Sequence, residues 1–212
     1  MEKQLNCKQL FKSALNFQKI KKDKEAETIY ESILRKKNTD FKTKVLNNLG
    51  VIYKERGLLD TAKKFFIDAT VENKKFWEGY LNLGDCFFDM ENYEYAVDCY
   101  KKAFLINSNN SKINLHLANA LNHLGKIKES KKYYSKISLK DEYYYFNLAN
   151  IHFESENYKK AKCFYLKTIK KNKFFFDAHY SLSRTEFLLE NFCEFQKYFM
   201  FRNLRSEIKT NP

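Results

Sequence analysis

Residues 77–110 read WEGYLNLGDCFFDMENYEYAVDCYKKAFLINSNN. Tyr80, Leu83, Gly84 and Phe87 fall at i, i+3, i+4 and i+7, one face of a helix. Ala96, Tyr100 and Ala103 mark one face of a second helix. Glu91-Asn92 separates the two, and Asn92 is placed to cap the helix that follows. Small residues at Gly84 and Ala96 oppose large ones at Tyr80, Leu83, Phe87 and Tyr100. Two helices cross closely only where one of them presents little side chain. The stretch therefore predicts a helical hairpin whose single apolar seam is too small to be stable alone.

The same pattern recurs on both sides. Residues 43–76 give Leu46, Leu49, Gly50 and Tyr53, then Gly57, then Ala62, Phe66 and Ala69. Residues 111–141 give Asn114, Leu117, Ala118 and Leu121, then Gly125, Ser130 and Tyr134. Residues 142–175 give Tyr145, Leu148 and Ala149, then Ala161, Tyr165 and Thr168. Residues 176–209 repeat it loosely with His179, Leu182 and Ser183, and residues 7–42 with Leu10, Ala14, Phe17, Ala26 and Tyr30. A period near 34 in helix–turn–helix units marks a solenoid. The step from Leu117 to Leu148 is shortened to 31 residues, between Ile137 and Tyr143. The second helix of that hairpin must end early, leaving Asp141 to cap the next one.

These residues resemble the tetratricopeptide repeat family, whose pattern is aromatic-x2-Leu-Gly-x2-Tyr, then Ala-x3-Phe, Ala and Pro. The repeats at 43 and 77 match at nearly every signature position. The expected proline is missing, with Lys74, Ser108 and Lys173 near its place, so helix ends depend on Asn and Lys. The resemblance implies an all-α, right-handed α-solenoid of about six hairpins, forming one domain over residues 1–212. It implies a scaffold for partners and does not say which partner.

The chain of 212 residues carries a formal charge of +13. Its abundant Lys, Asn, Phe, Tyr and Ile match the bias of A- and T-rich coding DNA, which spreads lysines over solvated faces. No basic cluster is interleaved with aromatics at single-strand spacing, so a nucleic-acid surface is a remote alternative. Five cysteines with no Cys-x-x-Cys spacing argue against a disulfide framework. The N-terminus lacks a signal core, and no apolar run reaches the ~18 residues that span a bilayer. A cytoplasmic protein with no membrane contact is expected.

No catalytic or cofactor constellation is present. There is no phosphate-binding glycine loop and no His-Glu-x-x-His. His116 and His123 share a helix face but lack a third ligand, while His152 and His179 fall at seam positions. The expectation is a chain without enzymatic activity, metal or cofactor.

Binding is what the family resemblance implies instead. The first helices of the hairpins would line a concave groove through repeat positions 2, 5, 6, 9, 12 and 13. Position 6 is Asn48, Asn82, His116, Asn147 and Ser181. An asparagine amide both donates and accepts, so a row of them can hold an extended peptide backbone. The row resembles the asparagine ladder in the repeat arm of O-linked N-acetylglucosamine transferase; family consensus alone would also put asparagine there. Leu81, Phe88, Phe146 and Phe153, with Tyr180 and Phe187, either wall apolar pockets or pack between first helices. The lysine, asparagine, asparagine, lysine and arginine of a chaperone-tail carboxylate clamp would fall at Asn47, Val51, Asn82, Lys112 and His116; only Asn82 and Lys112 match, and the arginine is absent.

The last repeat differs. From residue 176 onward basic and acidic residues balance at five each, so the whole +13 resides in residues 1–175. Phe187, Phe192, Phe195, Tyr198, Phe199 and Phe201 crowd it. Either a tail, Asn203 to Pro212, covers them, or they form an interface for a dimer or a second protein. Asn191-Phe192, Phe199 and Arg202 resemble the closing repeat of bacterial tetratricopeptide–glycosyltransferase fusions. That resemblance implies an arm for a separate glycosyl- or sulfotransferase as an alternative to a general peptide scaffold.

Overall fold

The computed structural model describes residues 6–36, 40–138 and 140–200. Among them the regular elements are twelve α-helices and no strand, an all-α helical-repeat solenoid fold. The chain divides into two compact units, residues 1–125 and 126–212. The first unit holds α1 (Cys7–Lys19), α2 (Asp23–Leu34), α3 (Lys42–Glu55), α4 (Leu59–Glu72), α5 (Trp77–Asp89), α6 (Tyr93–Ile106) and α7 (Ser111–His123). The second holds α8 (Ile127–Tyr134), α9 (Glu142–Glu154), α10 (Tyr158–Lys171), α11 (Phe176–Leu188) and α12 (Phe192–Phe199). Within each unit, a hairpin packs its first helix on the second helix of the hairpin before it, and in the first unit α3, α5 and α7 also touch in turn.

The seam is built as the small–large pattern requires. Tyr30, Phe66, Tyr100 and Tyr165, all from second helices, are buried. Phe66 and Tyr100 lie against Gly50 and Gly84 so closely that a Cβ at Gly50 would stand 2.5 Å from the Phe66 ring. The three tyrosines each bond back within their own repeat. Tyr30 Oη donates to Gln18 Oε1 (3.1 Å), Tyr100 Oη to Asp85 Oδ1 (2.7 Å) and Tyr165 Oη to Asn150 Oδ1 (2.6 Å). Asp85 and Asn150 each follow the small seam residue directly. In the second repeat that position is Val51, and the ring is Phe66, which needs no acceptor.

This correlation makes a prediction. Phe66→Tyr alone should cost about 1–3 kcal/mol, because a buried hydroxyl would face Val51 without a partner. Val51→Asn in the same chain should recover most of that loss. Urea unfolding of the four proteins in a double-mutant cycle measures it; coupling below ~0.5 kcal/mol would mean that the two side chains act independently.

The hairpin turns close through the backbone. Asn92 N–H donates to Phe87 O (2.9 Å) and Glu91 N–H to Phe88 O (2.9 Å), with Glu91 at φ +60°, in the left-handed region of a Schellman closure. Gly57, Gly125, Lys21, Glu156 and Glu190 hold that same place in the other hairpins. Asn92 does not act as expected: it stands at the cap position but its side chain makes no capping bond, whereas Asn157 in the equivalent turn accepts from Lys160 N–H at 3.4 Å. Asp141 does cap, accepting from Tyr144 N–H at 2.9 Å, and α8 stops at Tyr134 after 8 residues, as the shortened repeat requires.

The end of the second unit keeps its aromatics in view. No residue of α12 is buried, and Phe187, Phe192, Phe195 and Phe199 form a chain of ring contacts at 5.3–5.9 Å. The segment expected to cover them, 203–212, lies outside the described residues, as does Arg202 of the glycosyltransferase-like segment. Among the described residues no helix is long and apolar enough to cross a membrane.

Candidate functional site

Two cavities lie in matching places, one in each unit. The first, about 210 Å³, is lined by Lys54, Asp85, Phe88, Asp89, Tyr100, His116 and Asn119. The second, about 350 Å³, is lined by Phe146, Asn150, Phe153, Glu154, Tyr165, Ser181 and Arg184. Residues 85 and 150, 88 and 153, 89 and 154, 100 and 165, 116 and 181, and 119 and 184 correspond, always 65 apart. That spacing is one full repeat and one shortened repeat. Each cavity sits where the first helix of a hairpin, its second helix and the next first helix meet: α5, α6 and α7 in one unit, α9, α10 and α11 in the other.

Chemically the two have diverged. In the first, Asp85 Oδ1 accepts from Tyr100 Oη and from His116 Nδ1, both at 2.7 Å. Burial pushes the Asp85 carboxyl up, but the His116 and Tyr100 hydrogen bonds outweigh it and hold the group below its usual range. Asp85 is thus a carboxylate at neutral pH. Burial, then the Asp85 charge, pushes the Tyr100 phenol up, so it stays a donor. Lys54 Nζ lies 2.9 Å from Asp89 Oδ2. In the second cavity Asn150 replaces the carboxylate. Its oxygen accepts the hydrogen bond from Tyr165 Oη, so the amide N–H₂ is turned to the cavity in place of a second acceptor. Burial pushes Tyr165 up to about 12. The Arg184 guanidinium stands 5.0 Å from the Phe153 ring centroid and 5.9 Å from that of Tyr180.

The residues expected to bind peptide are distributed as follows. Phe88 and His116 meet in the first cavity, and Phe146 and Phe153 in the second. Leu81 is only 2% exposed and belongs to the core, because its side chain points away from the open side of α5. Asn48 Nδ2 donates to Tyr30 Oη (2.9 Å) and Asn82 Nδ2 to Asn47 Oδ1 (2.8 Å), so both amides are partly engaged within the fold. Asn147 is half-buried on α9 and lines neither cavity. Of the seam histidines, His179 is buried with Nε2 2.9 Å from Lys173 O, and His152 stacks on Phe164 at 5.4 Å. His123 stacks on Tyr93 at 4.6 Å. No group of three or more His, Cys, Asp or Glu among the described residues is arranged to hold a metal.

Reading positions 5, 6 and 12 misses the ninth position, which supplies Asp85, Asn119, Asn150 and Arg184. A signal for it exists in the sequence: Asp85 precedes Tyr100 by the same 15 residues that separate Asn150 from Tyr165.

Sequence models of the tetratricopeptide repeat match residues 77–110, and residues 43–70 and 142–170. No curated protein matches the sequence. Among solved structures, a tetratricopeptide repeat protein from Parabacteroides merdae aligns with a TM-score of 0.77 at 17% identity, covering 92% of this chain and 79% of its own. PilW, a type IV pilus biogenesis factor, aligns at 0.73 and 17% identity, covering 80% of each chain. A chain of the APC/C hetero-tetramer Cut9-Hcn1 aligns at 0.69 and 16% identity, over 76% of this chain and 33% of that one. At these identities the likeness is one of fold.

Proposed function

Because the chain belongs to the tetratricopeptide repeat family, we propose that it is a non-catalytic scaffold that holds an extended segment of a partner protein along the open side of its first helices. The recurrence of one cavity in the same register in both units carries this reading. A segment lying across the first helices of either unit could place a side chain in that unit's cavity. Hairpins stacked about 10 Å apart present a site to every third residue or so of a strand rising ~3.3 Å per residue. Phe88 and Phe153 supply apolar area, and Asn48 and Asn82 each retain an N–H and a carbonyl oxygen for a peptide group. The similarity to a type IV pilus biogenesis factor and to a chain of a hetero-tetramer supports a role in protein assembly.

The test is selection of binding peptides from a random linear library on the full chain, followed by calorimetry of the best binders. Phe88→Ala and Phe153→Ala should each weaken a binder that spans the cavity by about 1–2 kcal/mol, the range of a buried aromatic anchor. Binders unaffected by both changes would place the site elsewhere. Removing the asparagines is a less clean test, since Asn82→Ala would also take the donor from the side-chain oxygen of Asn47, a buried residue.

A further inference from the structure

We propose that the cavity between α5, α6 and α7 is a specificity pocket for an arginine side chain of the bound segment. The inference rests on the scaffold reading above and adds the chemistry of one ligand position. Its basis is a comparison the molecule makes with itself. In the second unit the cavity already contains a guanidinium, that of Arg184, set over the Phe153 ring at 5.0 Å. In the first unit the ring is present as Phe88, but Asn119 stands where the arginine would be. The chain sets its own guanidinium over the ring in one unit and an amide, Asn119, at the matching position in the other.

The remaining lining suits that ligand. Asp85 and Asp89 are four residues apart on α5, one turn of helix, and both border the cavity. Both hydrogen bonds to Asp85 fall on Oδ1, and the Lys54 contact with Asp89 falls on Oδ2. A carboxylate accepts through both oxygens, so Asp85 Oδ2 and Asp89 Oδ1 remain for a planar, multi-donor group. Two carboxylates face one ammonium, that of Lys54, and His116 Nδ1 is engaged with Asp85 Oδ1. The equivalent cavity replaces Asp85 with Asn150 where its own arginine enters, so the first cavity has the greater demand for a cation. Guanidinium is favoured over ammonium because it pairs with two acceptors in one plane while its face lies on an aromatic ring.

Two measurements separate this inference from the scaffold reading. The first is NMR titration of the full chain with N-acetyl-arginine amide, which needs no peptide groove. Shifts confined to α5, α6 and α7 are expected, with weaker ones from the lysine analogue and none from the norleucine analogue. The second is the peptide selection, repeated on two variants. Asp85→Asn copies the residue that the second unit tolerates beside Tyr165, and Asn119→Arg gives the first cavity its own guanidinium. Wild type should enrich arginine at one common position. Each variant should lose that enrichment and bind the best arginine peptide about tenfold more weakly or worse, the scale of a charged hydrogen bond. Thermal melts confirm that the variants fold. Selected peptides without a common arginine, or an enrichment that survives in both variants, would overturn the arginine pocket and leave the scaffold standing. No selected peptides at all, together with a localised response to arginine amide, would sink the scaffold reading and keep the pocket. No response in either experiment removes both.

Discussion

Lys162→Met is expected to destabilise the second unit by about 3–5 kcal/mol, the usual effect of removing one partner from a buried ion pair. Glu186, near the end of α11, is 1% exposed, and its carboxylate accepts from Lys162 Nζ at 2.8 and 3.1 Å and from Asn191 Nδ2 at 2.9 Å. Without the ammonium, a buried charge would keep a single amide donor. Lys162 itself is about one-third exposed, so entering water can replace part of the lost bond and draws the figure towards the lower end. The double change Lys162→Met with Glu186→Leu should recover most of the stability, since an apolar pair of similar volume has no charge to desolvate. Urea unfolding followed by circular dichroism reports all helices, while Trp77, the single tryptophan, reports α5 in the first unit. Loss of helix should precede the change in Trp77 fluorescence in the Lys162 variant. A loss below ~1 kcal/mol would mean that the pair behaves like one on the surface.

Much of the architecture was legible because one physical constraint recurs. A close helix crossing needs a small residue against a large one, and that pairing repeats with a period the eye can follow from Gly50 and Phe66 to Gly84 and Tyr100. The early end of α8 and the cap at Asp141 followed from counting residues. The turns were less legible: Asn92 and Asn157 share the same chemistry and the same backbone closure, yet only Asn157 caps through its side chain, and a non-glycine residue at φ +60° has no clear sequence mark. The cavities were the least legible. The first is assembled from four helices and the second from three, so each lining is spread over more than 30 residues, and Leu81 shows that a repeat position alone does not say whether a side chain faces the opening or the core. Buried glutamate is also uncommon enough that Glu186 reads as a surface residue until Lys162 is seen beside it.

Gly84→Leu should reduce stability by about 3 kcal/mol, the upper end of the overpacking range. A Cβ at residue 84 would lie 2.6 Å from Tyr100 Cδ1 and 3.0 Å from Cζ, and leucine adds three further carbons. Tyr100 cannot retreat cheaply, being 1% exposed and tied through Oη to Asp85. The equivalent seam residues Ala14, Ala118 and Ala149 do carry a Cβ, so Gly84→Ala should cost less, about 1 kcal/mol as the crossing opens slightly. The ordering of the two variants is therefore part of the prediction, and equal losses would point to backbone conformation in place of steric contact. Tyr100→Phe separates packing from hydrogen bonding. It keeps the ring against Gly84 and removes only the donor to Asp85, at about 1–1.5 kcal/mol. If Gly84→Leu changes stability by less than ~0.5 kcal/mol, the range of ordinary surface substitutions, then residue 84 does not sit at the α5–α6 crossing. Because Tyr100 also walls the arginine cavity, Gly84→Leu should weaken an arginine peptide as well as the fold, whereas Gly50→Leu, whose ring neighbour Phe66 lines neither cavity, should weaken the fold alone.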